Sequence, residues 1–164
     1  MSSLHPQAFN NLVPLNKKDS RTIVFIDSSI ANWEDIAQKV VFTARVIIIG
    51  SEDDGVKEIS RFLNASNCLE IHIFSSGFPG CIYLGKSELS LDTFHTYYLL
   101  IKRWFKGNNW LKLGNFTRHI YIYSSNLNIG DSGEEFIAKL GHIAEAKIFI
   151  SSDFTNSNVL VDSK

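Results

Sequence analysis

The chain is poor in the residues that staple or interrupt a fold: its 164 residues include two cysteines, three prolines and one methionine. Two thiols exclude a disulfide framework as the main source of stability. Cys68 and Cys81 flank a predicted strand of about seven residues, roughly 23 Å at ordinary strand rise, so no bridge between them is expected. No apolar run approaches the roughly eighteen residues of a spanning helix. The polar start MSSLHPQAFNNLVPLNKKDS has no apolar core, so the reading is no transmembrane segment, no cleaved signal peptide and cytoplasmic residence by default. Charge of one sign is not in excess either: sixteen Lys+Arg stand against seventeen Asp+Glu, a net charge of -1. That balance lacks the basic footprint of duplex or anionic-membrane binding, and no nucleic-acid partner is expected. At 45% hydrophobic residues the chain is not disordered, and its length fits one domain.

Isoleucine and serine, nineteen of each, dominate what is present. Residues 1–20, with Pro6, Pro14 and no sustained periodicity, read as an irregular arm; residues 21–164 read as a single α/β domain. Five short runs, Thr22 to Asp27, Arg45 to Gly50, Leu69 to Phe74, Arg118 to Tyr123 and Lys147 to Ile150, are β-branched or aromatic almost throughout. Such runs suit strands covered on both faces, in a largely parallel sheet of five or six strands.

Helical spacing lies between the runs. Ile36, Val40 and Val41 repeat behind Asn32; Val56, Ile59, Phe62 and Leu63 follow the acidic start Glu52, Asp53 and Asp54. The stretch Leu91 to Lys106 places Phe94, Tyr97, Tyr98, Ile101, Trp104 and Phe105 on one stripe. Ser132-Gly133-Glu134-Glu135 has the form of a capping box opening a fourth helix. Strands alternating with helices predict a three-layer sandwich. Gly77-Phe78-Pro79-Gly80 predicts a turn, and Cys81 to Leu89 around Gly85 a small β-hairpin.

Ligands gather beyond the carboxyl ends of parallel strands. Those ends carry Asp27, Ser28, Ser75, Ser76, Gly77, Ser124, Ser125, Asn126 and Asp153, a rim of hydroxyls with few carboxylates. Serine also initiates turns and caps helices, which accounts for many of these positions without any ligand.

Two segments carry a resemblance. Ile71 to Gly80 with Tyr83-Leu84-Gly85 is similar to the Ser-His-Gly-x-Pro-Gly segment of a bacterial domain of unknown function found near the start of large, often cyanobacterial, surface proteins. Ile120 to Asn126, followed by Gly130 to Phe136, resembles the Tyr-Gly-Cys-Asn segment of the same family, and flanking matches extend over residues 22–158. That family in turn resembles caspase-like cysteine peptidases, including gingipains, so the resemblance implies a caspase-like or flavodoxin-like fold and exported or surface-associated relatives. Its His falls on Ser76 and its Cys on Ser125. A serine hydroxyl without an adjacent strong base is a poor nucleophile, so no catalytic residues, no cofactor and no metal are expected.

The remaining constellations are weak. His72 reads as a packed strand residue, His119 lies at the far end of its strand from Ser125, and no histidine or cysteine pair has zinc-ligand spacing. The glycines form no phosphate cradle. Glu52-Asp53-Asp54-Gly55 lacks the rest of a calcium loop. Trp110, Leu111, Leu113 and Phe116, in a Gly/Asn-rich loop, either fold onto the sheet or form a partner surface. The expected function is a catalytically inactive caspase-like domain that binds protein or scaffolds a larger assembly. The alternatives are a serine-dependent hydrolase using Ser125 or Ser76, and a small-ligand domain at the strand ends.

Overall fold

The computed structural model describes residues 21–40, 44–106 and 117–152. In chain order these form β1 (Thr22–Asp27), α1 (Trp33–Val40), β2 (Arg45–Ile49), α2 (Gly55–Asn64), β3 (Glu70–Phe74), β4 (Ser76–Phe78), β5 (Cys81–Leu84), β6 (Ser87–Ser90), α3 (Phe94–Lys102), β7 (His119–Tyr123), α4 (Gly130–Ala144) and β8 (Lys147–Ser151). Five strands build a sheet in the order β2-β1-β3-β7-β8, every neighbouring pair parallel. The expected parallel sheet is therefore present, with five strands among the described residues.

Period-two side-chain alternation divides each apolar run between two cores. Ile23, Phe25, Ile47, Ile49, Ile71, Ile73, Ile120 and Ile122 face α2, α3 and α4. Val24, Ile26, Val46 and Ile48 face α1, which contributes Trp33, Ile36, Ala37 and Val40. Each fully buried aliphatic side chain contributes about 1.5–3 kcal/mol, whereas an exposed pair such as Lys57 with Asp54 contributes about 0–1. The two apolar faces therefore decide the fold. Beyond α1 the second face is aromatic: His72 stacks on Tyr121 at 4.6 Å, Tyr123 on Phe74 at 4.2 Å and Tyr121 on Phe149 at 4.9 Å.

Four local readings are corrected. The stretch around Gly77 is not simply a turn, because Ser76 to Phe78 pairs antiparallel with β5 and converts the hairpin into a three-stranded sheet. The third helix is shorter than its apolar stripe: α3 ends at Lys102, while Trp104 and Phe105 reach the core from the following turn. There the Trp104 indole N–H donates to Ser60 Oγ at 2.8 Å, which satisfies both buried groups. Tyr98 stands 41% exposed rather than inside. The fourth helix opens at Gly130, not with Ser132 as a cap, and no side chain caps it. By contrast Asp54 caps α2 as its position suggested, accepting the Lys57 N–H at 3.2 Å.

The small sheet is pressed onto the loop before α2. Lys86 N–H donates to Asp53 O at 2.8 Å and Gly55 N–H to Ser87 Oγ at 3.0 Å. Gly85, at φ 62°, sits where a Cβ would lie 2.2 Å from Asp53 O. Gly130, at φ 71°, has open space around the same position. Gly85→Ala is therefore expected to lower unfolding stability by about 3 kcal/mol or more, against about 1 for Gly130→Ala. Urea titration of the two variants checks this; equal losses would mean that backbone conformation alone, not crowding, governs position 85.

Candidate functional site

The strand order reverses between β1 and β3, which in open parallel sheets is where the ligand crevice forms. Here that crevice is occupied by the chain itself. Asp27 ends β1 at 1% exposure, its Oδ1 accepting Ser29 N–H at 2.8 Å and its Oδ2 accepting Gly85 N–H from the tip of the small sheet. Both carboxyl oxygens are thereby committed to backbone. Ser28 also continues the sheet, its N–H donating to Ile49 O at 2.9 Å.

The open part of the rim lies one strand pair further on. Phe74 pairs with Tyr123, and Ser75 N–H then donates to Tyr123 O at 3.1 Å. Ser124 N–H likewise donates to Ser151 O at 3.0 Å. Ser75 and Ser124 are fully buried, and neither hydroxyl has a hydrogen-bond partner. The next residues on each strand end, Ser76 and Ser125, are exposed. A Cβ at Gly77 would stand 2.3 Å from Cys81 O and 2.8 Å from Ser124 Oγ, so only glycine lets β4 lie this close to the end of β7. That close approach sets Gly77 against Ser124 at the end of β7. Asn126, at φ 61°, turns the chain away after Ser125, a conformation asparagine tolerates better than most residues.

Sequence reasoning passed over the apolar frame of this rim. Tyr83 lies opposite Ser76 in the β4–β5 register, and its ring meets Phe78 at 5.7 Å; both are exposed, as is Ile129 before α4. Phe78 stood among turn residues and Tyr83 in a short hairpin strand, contexts that do not mark a side chain as exposed. Asp153 and the loop residues Trp110, Leu111, Leu113 and Phe116 lie outside the described residues, as does the arm 1–20.

Among the described residues, His72 and the two thiols are buried, and His119 lies at the far end of β7 from the rim. His72 is buried with both ring nitrogens engaged: Nε2 meets Glu70 Oε1 at 2.6 Å, and Nδ1 meets the Tyr123 hydroxyl at 3.1 Å. Donating Nε2–H to the carboxylate leaves Nδ1 to accept from tyrosine, a tautomer assigned from those partners. His119 starts β7, six residues and about 20 Å along the strand from Ser125. Cys68 and Cys81 are free and buried, and burial pushes each thiol up to about 12. Among the described residues no group of three His, Cys, Asp or Glu could hold a metal ion, and no helix is long and apolar enough to cross a membrane.

A family profile covers residues 23–160 of the sequence. The chain belongs to the family Domain of unknown function (DUF4347). No curated protein matches this DUF4347 chain. Among solved structures it is similar to the crystal structure of Caspase-1 from Spodoptera frugiperda, at 16% identity over 76% of this chain and 52% of that one, with a TM-score of 0.36. The DUF4347 chain thus spans about half the length of the caspase it matches.

Two outcomes follow for the titratable groups. With thiol values near 12, Ellman's reagent at mildly alkaline pH is expected to leave both cysteines of the native DUF4347 chain unmodified and to modify two in denaturant; rapid native reaction at Cys81 would contradict the burial argument. The His72 hydrogen bond, ahead of the opposing cost of burial, holds the Glu70 carboxyl below its usual 4.5. Its contribution to stability is complete above that value and is lost as pH falls through the lower folded-state value. Glu70→Gln should therefore lower stability at neutral pH and flatten its acid-side decline, read from denaturant titrations across that range.

Proposed function

We propose that this chain is a catalytically inactive caspase-like domain that works as a protein-binding or scaffolding module through the rim around Ser76 and Ser125. One observation carries the reading: the two exposed strand-end positions that the resembling family gives to His and Cys are both serine here. Acyl transfer by a hydroxyl needs a base within hydrogen-bond reach. His72 spends both ring nitrogens on Glu70 and Tyr123, and both Asp27 oxygens accept backbone N–H groups, which counts against either as the base of a serine hydrolase.

Binding is supported by the surroundings of the pair. Phe78, Tyr83 and Ile129 expose large apolar area beside hydroxyls and Asn126, the mixture of apolar anchors and polar groups that partner surfaces use. The rigid sheet ends position these groups, and the three-stranded sheet presents the aromatic pair.

Fluorogenic peptides cut after Arg, Lys, Asp or Leu should show no turnover above buffer, and a fluorophosphonate probe should label neither Ser76 nor Ser125. Turnover that Ser125→Ala abolishes would overturn the reading. For the binding half, a stoichiometric partner captured by the intact chain should be lost in the Phe78→Ala, Tyr83→Ala double variant, with the thermal midpoint retained; capture that survives the double variant places binding elsewhere.

A further inference from the structure

The net charge of -1 conceals a separation of charge between the two ends of the sheet. The strands are parallel and the helices run back between them, so strand starts and helix ends share one pole of the molecule. That pole is basic. Arg21 and Arg118 stand just before β1 and β7, and Arg45 and Lys147 open β2 and β8. Leu69 N–H donates to Arg21 O at 2.8 Å, His119 N–H to Leu69 O at 3.1 Å and Lys147 N–H to Arg118 O at 2.9 Å, which keeps these starts nearly level. Lys39, Arg61 and Lys102 lie in the last turns of α1, α2 and α3, with Arg103 and Lys106 just beyond. Of the carboxylates beside them, Glu70 is bound to His72, Glu145 pairs with Lys106 at 3.6 Å and Glu58 with Arg61 at 2.8 Å. Lys39, Arg103 and Lys147 are exposed and pair with no carboxylate among the described residues. The opposite pole is acidic, with Asp53 and Asp54 before α2 and Asp131, Glu134 and Glu135 in the first turns of α4. Helix dipoles favour bases at helix ends, but the four bases at strand starts have no such cause.

We propose that the basic pole docks the chain on the surface of an anionic lipid bilayer. The shape of the charge selects that partner. Lys147 lies on the same sheet face as His119, so Arg118, one residue earlier, leaves the sheet on the other face. The bases therefore do not close on a compact anion. They spread across roughly 19 Å from β2 to β8 and onto helices on both sides of the sheet, which a broad, flat array of negative charge meets together. Each Lys or Arg held within a Debye length of such a surface is attracted to it, and the attractions accumulate. A DNA duplex is read by an element that enters a groove, whereas the described pole presents strand starts and helix ends. The acidic pole is repelled by the same surface, so the separation of charge also orients the chain. Docked in this way, the rim around Ser76 and Ser125 points away from the bilayer, and the assignment neither competes with its proposed role nor rests on it.

Co-sedimentation of the full chain with vesicles of phosphatidylcholine containing about one-third phosphatidylserine, at low ionic strength, tests the proposal. Binding to these vesicles and not to pure phosphatidylcholine is expected, and it should fall steeply as added salt shortens the screening length. The Arg103→Gln, Lys147→Gln double variant should partition about tenfold or more weakly, since each base near the surface is worth about fivefold. Both positions are exposed, so the thermal midpoint should be retained, and Lys39→Gln repeats the test on a third element with a smaller loss. The Lys57→Gln, Lys86→Gln double variant removes the same charge at the acidic pole and should bind as the unaltered chain does. Absence of binding by the unaltered chain, equal binding to neutral vesicles, or unchanged binding by the Arg103 and Lys147 variant overturns the assignment. So does an equal loss in the Lys57 and Lys86 variant, or tighter binding to duplex DNA than to the anionic vesicles at the same salt.

Discussion

The two hydrogen bonds that the Asp27 carboxyl accepts from Ser29 and Gly85 determine how the rim is laid out. A carboxyl at 1% exposure must find partners inside the protein, because losing water without replacement is costly. One partner is local; the other comes from 58 residues later and pins the small antiparallel sheet across the end of β1. Gly85 can make that approach only because it lacks a Cβ and tolerates positive φ. The usual ligand crevice of a parallel sheet is thereby filled with backbone.

Beyond that closed end, exposed serines follow β3 and β7 at Ser76 and Ser125. Burial changes within one residue step beyond both strands: Ser75 and Ser124 are buried, Ser76 and Ser125 exposed. Gly77 then lets β4 lie against Ser124 and carry Phe78 and Tyr83 to the surface beside the exposed pair. Burial keeps both thiols protonated, and His72 belongs to an aromatic stack on the α1 side of the sheet.

Much of the architecture was legible because it follows from short-range pattern. Ile-rich runs of five or six residues announced strands buried on both faces, and Asp54 announced the start of α2. His72 read as a packed residue and proved to be one, although its partner Tyr123 lies on another strand, 51 residues away, and could not be paired with it from spacing. The errors share a cause. β4 was hidden within turn residues because its strand character comes from pairing with β5. Ser132 looked like a cap because its local motif is right, yet Gly130 at positive φ starts the helix two residues earlier.

The sequence alone determined the alternation of strands and helices and the two-sided burial of the sheet, since these depend on residue type and near neighbours. Tertiary structure decided which of the described serines are exposed, that Asp27 accepts from Gly85, and that Phe78 and Tyr83 meet beside Ser76. Those outcomes rest on contacts between segments tens of residues apart, whose strength is set by burial and by the space available to each backbone, quantities that no local pattern encodes.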